Sequence, residues 1–230
     1  IKGSSFTGEK HAYAIDDSNP FILRDMNKCI LCGACVRACT ELTGQDNLSY
    51  LNRGFHRKAT TAGDVPYIES DCVFCGQCVA VCPTGALTEK TMSGVARRWD
   101  IERVRTTCPF CGTGCNFDLA VKDKKVIGVL SNPDAPVNGR SLCVKGRFGW
   151  DYIYNENRIK TPLIKKNGQF EPASWDEAFD LIAERFKAIK EKYGPDSFAA
   201  LSSARCTNEE NFLVGKFSRA VMGTNNVDHC

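Results

Sequence analysis

The chain has 230 residues, of which 25% are charged and 43% hydrophobic, and its formal net charge is +3. This is an ordinary globular mixture without an apolar run near the roughly 20 residues that span a bilayer, so it excludes a membrane-embedded class. The basic residues are scattered rather than gathered into a stripe, so we expect no nucleic-acid partner. No signal peptide is visible, although Ile1 is not an initiator methionine, and we expect a cytoplasmic protein.

Cysteine is the most informative residue type in this chain, because twelve of its 14 cysteines fall into three sets of four. Two sets share the spacing C-x2-C-x2-C-x3-C, and they are Cys29, Cys32, Cys35 and Cys39, then Cys72, Cys75, Cys78 and Cys82. The third set has the spacing C-x2-C-x3-C-x27-C and consists of Cys108, Cys111, Cys115 and Cys143. Thiolates hold iron, and a short loop with a ligand at every third residue can wrap one face of a cubane. The sequence therefore predicts three 4Fe–4S clusters and a role in electron transfer.

Two other uses of so many cysteines fit the spacing less well. Zinc sites usually pair two C-x2-C knuckles, whereas each loop here holds three or four sulfurs in one run. Disulfide-rich scaffolds are secreted and much shorter than this chain. Zinc is the stronger of these two alternatives.

Residues 1–100 contain an internal repeat. The stretch CILCGACVRACT at Cys29 recurs as CVFCGQCVAVCPT at Cys72, an offset of 43 residues. In two-cluster ferredoxins the fourth cysteine of each run ligates the other cluster. We therefore expect one cluster on Cys29, Cys32, Cys35 and Cys82, and another on Cys72, Cys75, Cys78 and Cys39. Short helices are predicted over residues 36–42 and 79–81, with a hairpin inserted between the two runs near Gly54 and Gly63.

Residues 101–165 form the unit of the third cysteine set. Apolar and polar residues alternate over 116–130 around a Lys-Asp-Lys-Lys turn, which predicts a β-hairpin. A loop rich in proline, glycine and asparagine follows over 132–140, and Cys143 returns to complete the set. Lys145 lies two residues after that cysteine, within the sequence LCVKG.

Residues 166–230 have the pattern of an incomplete α/β domain. Ser174 begins a capping box, and apolar residues from Trp175 to Tyr193 recur at steps of three or four, which predicts a helix of about five turns with that face in a core. A short buried strand is predicted over 197–201, and a second helix runs from about Asn208 to Gly223. The predicted fold class is α+β, with a ferredoxin-like module, a small β-rich cluster domain and the start of an α/β domain.

These residues carry a family resemblance that covers residues 22–230. The third cysteine set, with LCVKG around Cys143, resembles the N-terminal iron–sulfur domain of the molybdopterin oxidoreductases. The run from Ser174, with NEENFLVGKF and GTNNVDHC in it, is similar to formate dehydrogenase catalytic subunits. The upstream module resembles those of cytosolic formate dehydrogenases, iron-only hydrogenases and complex I-type subunits.

The resemblance implies a cofactor and a reaction. Formate dehydrogenase catalytic subunits bind two pyranopterin guanine dinucleotides (bis-molybdopterin guanine dinucleotide) around one molybdenum or tungsten. They interconvert formate and CO2. Their metal-ligating selenocysteine or cysteine would lie beyond residue 230, as would the catalytic His and Arg, so we expect no catalytic residue in this chain and do not assign Cys230 as the ligand. An iron–sulfur or flavin subunit, hydrogenase-linked or NAD(P)-linked, is the expected electron partner.

The same resemblance implies that Lys145 lies between the third cluster and the nearer pterin. Arg205 and Asn208, at the start of the second helix, are candidate contacts to the pterin because helix N-termini suit phosphate groups. Two other functions stay open. The chain could be part of another pterin enzyme, such as a nitrate reductase or a complex I-type large subunit, or a stand-alone electron carrier without pterin.

Overall fold

The structure is a computed structural model that describes residues 7–229, so that Cys230 lies outside it. The described chain forms two compact units. The first comprises the residues up to Cys108 together with Thr113–Asp151, and the second comprises Pro109–Gly112 and the residues from Tyr152 onward. No helix in the described residues is long and apolar enough to cross a membrane.

The cysteine repeat lies in a module of short elements within the first unit. They are β1 (Ile22–Arg24), α1 (Ala34–Arg37), β2 (Leu48–Leu51), β3 (Lys58–Thr61), α2 (Gln77–Val81) and β4 (Leu87–Glu89). The first and last strands pair antiparallel and close the module, and α1 continues as a π-helical segment, Ala38–Leu42. Both predicted helices are confirmed, each beginning two residues earlier than expected. The predicted hairpin is confirmed as β2 and β3, with Gly54 in the turn at a φ of 58°.

A small apolar core lies directly beneath the cysteine loops. Its buried members include Ile22, Leu48, Tyr67 and Leu87, and Phe148 from the next domain joins them. Five cysteines of the repeat belong to this core or pack against it, namely Cys35, Cys39, Cys72, Cys78 and Cys82. The module is therefore folded around its cysteines.

The rest of the first unit is a three-stranded antiparallel sheet with one short helix. Its elements are β5 (Glu102–Thr107), β6 (Asn116–Lys122), β7 (Lys125–Leu130) and α3 (Val144–Phe148). The predicted hairpin is confirmed as β6 and β7. Asp123 and Lys124 have φ values of 49° and 61° at the turn, the pair of positive angles that a tight two-residue hairpin turn uses. Sequence patterning missed β5, whose side chains are mostly exposed.

The second unit combines a hairpin, two helices and a pair of parallel strands. Its elements are β8 (Leu163–Lys166), β9 (Gln169–Pro172), α4 (Trp175–Tyr193), β10 (Ala200–Ser202), α5 (Asn208–Phe217) and β11 (Val227–His229). The Ser174 capping box and both helices are confirmed, and α5 extends as a π-helical segment, Ser218–Met222, ended by Gly223. The α+β class predicted from the sequence is confirmed.

Two expectations about this second unit were wrong. The strand begins at Ala200 rather than at residue 197, because Pro195–Ser197 forms a 3₁₀ turn, and Leu201 is 84% exposed rather than buried. The apolar face of α4 was expected to be core, yet Trp175 is 65% exposed. Two short strands offer too small a sheet to cover a helix of 19 residues.

Candidate functional site: three cysteine sets

Two pockets in the first unit are each lined by four cysteines of the repeat. One pocket is bordered by Cys29, Cys32, Cys35 and Cys82. The other is bordered by Cys39, Cys72, Cys75 and Cys78. Each pocket thus takes three thiols from one run and the fourth from the other run, the exchange expected from the sequence. We call them the first and second cysteine pockets.

The backbone of the two cysteine loops follows the same path. Leu31 and Phe74, at equivalent places, have positive φ values of 57° and 55°. This bend aims the N–H of Leu31 at the sulfur of Cys29, 3.3 Å away, and the N–H of Phe74 at its counterpart, 3.4 Å away. An N–H donated to a ligand sulfur stabilises its negative charge, so the loops are shaped for thiolates.

Burial raises the pKa of four of these thiols, those of Cys29, Cys35, Cys72 and Cys78. Burial raises the pKa of Cys35 to about 11 and that of Cys78 to about 12. Cys82 differs, because burial would raise its pKa but N–H groups of Leu87 and Thr84 hold it below the usual value. A coordinating metal deprotonates a thiol outright, so iron would supply the positive charge that these buried sulfurs lack.

The donor set of each pocket fits a 4Fe–4S cubane, which needs four thiolates, one on each iron. All eight thiols of the repeat, which lie within the described residues, are free of disulfides. In the described part of the chain, no group of three or more His, Cys, Asp or Glu residues could share a single metal ion. A 4Fe–4S cluster is a different kind of site, because each of its four irons takes one thiolate.

The third set has three members in the first unit. Cys108 and Cys115 pack against the core of the sheet, formed by Phe117, Val129 and Leu142, and the Cys108 N–H donates to the Cys115 carbonyl at 2.8 Å. Cys143 is the residue immediately before α3 and makes no side-chain capping bond to it. Cys111 belongs to the Pro109–Gly112 segment that is grouped with the second unit.

Arg147 is a functional candidate that sequence reasoning missed. Its side chain is only 3% exposed. The guanidinium donates from Nε to the Cys75 carbonyl at 2.8 Å, and from Nη2 to Gln77 Oε1 at 2.5 Å and to Ser131 Oγ at 3.0 Å. Its backbone N–H donates to the Cys143 carbonyl at 3.0 Å. The residue therefore contacts one cysteine from the second pocket and one from the third set.

The other predicted cofactor contacts are all on the surface of their units. Lys145 is exposed in the first turn of α3, two residues after Cys143. Arg205 and Asn208 are exposed at the start of α5, where the Thr207 hydroxyl already accepts the N–H of Glu210. That helix end carries its own cap and two acidic residues, which disfavour an anion at its backbone N–H groups.

Comparison with known families assigns most of the chain. Residues 101–155 match the profile of the molybdopterin oxidoreductase Fe4S4 domain, and residues 158–230 match that of the molybdopterin oxidoreductase domain. Residues 19–88 match the ferredoxin-like domain of NADH-quinone oxidoreductase subunit 3. The chain therefore belongs to the molybdopterin oxidoreductase family, and carries its N-terminal ferredoxin-like and Fe4S4 region. These domains imply Fe4S4 clusters and molybdopterin as cofactors.

Similar curated proteins carry names consistent with that family. A protein of Staphylococcus aureus named "Putative formate dehydrogenase" is 38% identical over 252 residues, covering 93% of this chain and 26% of the relative. "Probable oxidoreductase YjgC" of Bacillus subtilis is 37% identical over 268 residues, covering 100% of this chain and 27% of the relative. The chain thus spans about a quarter of the length of these relatives.

Proposed function

We propose that this chain is the electron-transferring N-terminal part of a formate dehydrogenase (CO2 reductase) catalytic subunit. The observation that carries the proposal is the pair of pockets, each of which is bordered by three cysteines from one run and a fourth from the other run. A third set around Cys108 follows in a domain of the molybdopterin oxidoreductase family. Three 4Fe–4S clusters in series would carry single electrons between a pterin-bound metal and a partner protein.

The proposed division of labour follows the three predicted domains, residues 1–100, 101–165 and 166–230. The twelve cysteines hold the clusters, while backbone N–H groups and burial set the cluster potentials. Lys145 provides a positive charge beside the third cluster, on the side of the pterin, and Arg205 and Asn208 contact that cofactor. A bis-molybdopterin guanine dinucleotide with molybdenum or tungsten would supply the two-electron chemistry.

The substrate and partner belong to this proposal because they rest on the relatives' names and on the family. Formate and CO2 are the proposed substrate pair. An iron–sulfur or flavin subunit, hydrogenase-linked or NAD(P)-linked, is the proposed electron partner, and a reducing, cytoplasmic location suits so many unpaired thiols of the repeat.

The proposal is tested on the complete protein, purified without oxygen. We expect about twelve iron and twelve sulfide per chain, since each cubane contains four of each, and formate-dependent reduction of a viologen dye. Cys75→Ser should remove about four iron, whereas Cys206→Ser, a cysteine outside the three sets, should keep the full amount. Zinc in place of iron, or an iron-loaded and pterin-loaded protein that does not reduce dye with formate, would contradict the proposal.

One observation favours a different pterin enzyme. The match of residues 19–88 is to a domain of an NADH-quinone oxidoreductase subunit, which suits a complex I-type large subunit. Such a subunit would carry the same clusters but would show no formate-dependent dye reduction. The formate assay therefore separates the two functions.

A further inference from the structure

Two equivalent carbonyls of the cysteine repeat each accept a hydrogen bond from an arginine, but in different surroundings. In the first pocket, Arg37 Nη1 donates to the Cys32 carbonyl at 3.4 Å, and the Arg37 side chain is exposed. In the second pocket, Arg147 Nε donates to the Cys75 carbonyl at 2.8 Å, and Arg147 is 3% exposed. The repeat is therefore nearly symmetric in its backbone but not in the solvation of its positive charges.

The buried arginine is tightly held in place. The next residue, Phe148, stacks on Phe21 with ring centroids 4.6 Å apart and an interplanar angle of 6°. A Cβ built on Gly76 would lie 2.8 Å from Arg147 Nε and 2.9 Å from Phe148 Cζ, so the arginine lies directly against the cysteine loop. The repeat and helix α3 are thus fitted to each other at this point.

A buried guanidinium needs a compensating negative charge, because desolvation of an ion costs several kcal/mol. The three hydrogen-bond acceptors of its guanidinium, at Cys75, Gln77 and Ser131, are all neutral groups. The buried carboxylate of Glu89 interacts with the guanidinium electrostatically and accepts its own hydrogen bond from Thr91. A 4Fe–4S cluster with four thiolates carries a charge of about −2, and about −3 after reduction. The cluster of the second pocket can therefore add to the negative charge that Glu89 provides, and it does so more strongly once reduced.

Arg147 also forms a short connection between two cysteine sets. Its backbone N–H is bonded to the Cys143 carbonyl and its side-chain Nε–H to the Cys75 carbonyl, so that a single residue joins a proposed ligand of the third cluster to one of the second pocket. An electron that crosses here oxidises one cluster and reduces the other by one electron, and no bond or proton needs to move.

We propose that Arg147 is the positioning residue that couples the third cluster to the cluster of the second pocket, and that its buried charge raises the reduction potential of the latter. This inference rests on the part of the proposed function that assigns the clusters, and it does not depend on formate as the substrate. The two ferredoxin-type clusters then differ in potential, and electrons arriving from the third cluster favour the second pocket.

The test is a redox titration of the anaerobic, complete protein, followed by EPR and carried out with dithionite and mediators in the absence of formate. The step of the second pocket is recognised by its loss in Cys75→Ser. Arg147→Met should reduce the equilibrium constant for one-electron reduction of that cluster at least tenfold, a shift of about 59 mV to lower potential. In Arg147→Lys, which keeps the positive charge, the same equilibrium constant should stay within about threefold of its value in the parent protein.

Two further variants complete the test. Gln77→Glu is nearly isosteric and places a carboxylate against the intact guanidinium, so it should lower the reduction potential of the second-pocket cluster. If Arg147→Met loses iron, the potential measured in Gln77→Glu tests the inference instead. Arg37→Met is the matched control, because water screens an exposed charge, and it should shift no potential more than about threefold. The inference is overturned if Gln77→Glu and any iron-loaded Arg147→Met leave every potential within threefold, or if Arg37→Met has an equal effect. Absence of clusters from the parent protein would instead overturn the proposed function.

Discussion

Replacement of Gly76 by alanine tests how closely the cysteine repeat and helix α3 fit together. Gly76 has a φ of 71°, so any side chain there costs ~1 kcal/mol in backbone strain. The new methyl group would also overlap Arg147, whose head is held by hydrogen bonds, and Phe148. Overpacking of this kind costs ~1–3 kcal/mol, so the free energy of unfolding should fall by ~2–4 kcal/mol in total.

Gly94→Ala provides the matched control for this prediction. Gly94 has a similar φ of 77°, but its added Cβ would meet no atom within 4 Å, so only the ~1 kcal/mol of strain applies. For a domain of this size, 1 kcal/mol shifts the transition by ~2–4 °C. Gly76→Ala should therefore lower the temperature at which the cluster absorbance bleaches by ~4–16 °C, and Gly94→Ala by ~2–4 °C. Equal shifts in the two variants would refute the reasoning.

Three other substitutions have defined outcomes. Asp16→Asn breaks a partly buried ion pair with Arg24 (3.0 Å) and should cost ~1–3 kcal/mol in the same bleaching assay. Ser174→Ala removes the cap of α4 and should cost ~1 kcal/mol of helix stability, measured by circular dichroism on heating. Tyr67→Phe removes the buried hydroxyl that lies 3.8 Å from Cys78 Sγ. The equilibrium constant for one-electron reduction of the second-pocket cluster should then fall a few-fold, which is a shift to lower potential.

Each of these outcomes has its own control. Burial would raise the pKa of Asp16, but hydrogen bonds from Ser18 and Tyr67 and the Arg24 charge hold it below 3.8. Its contribution is therefore complete above pH 3.8 and lost only as the pH falls below that value. A gap between parent and Asp16→Asn that changes between pH 6 and 8 would contradict this. Ser174→Asp should keep the cap, and Tyr67→Phe should leave the first-pocket cluster unchanged.

Much of the fold and of the candidate site could be predicted from local patterns. Ligand spacing fixes which cysteines share a loop, and the repeat of that spacing predicted the exchange that brings Cys82 to the first pocket and Cys39 to the second. The Ser174 capping box and the 116–130 hairpin are also local signals. Such features depend on residues only a few positions apart, so the sequence alone reveals them.

What the sequence could not reveal depends on long-range contacts. Arg147 and Cys75 are 72 residues apart, and the sequence gives only a weak sign of the arginine's role, its place two residues after Lys145. Strand β5 was missed because most of its side chains are exposed, so its sequence lacks the alternation of apolar and polar residues that marks a half-buried strand. The apolar face of α4 is a reliable helix signal, but periodicity does not say whether another element covers that face.

The exchange of the fourth cysteine has a consequence for biogenesis. Because the first pocket takes Cys82 and the second takes Cys39, neither half of the module holds a complete set of ligands. A ribosome must therefore have synthesised the second run before either cubane can be inserted with all four thiolates. Maturation of the two centres is in this way tied to a single late step, and a nascent chain arrested between the runs would offer only partial sites to the assembly machinery.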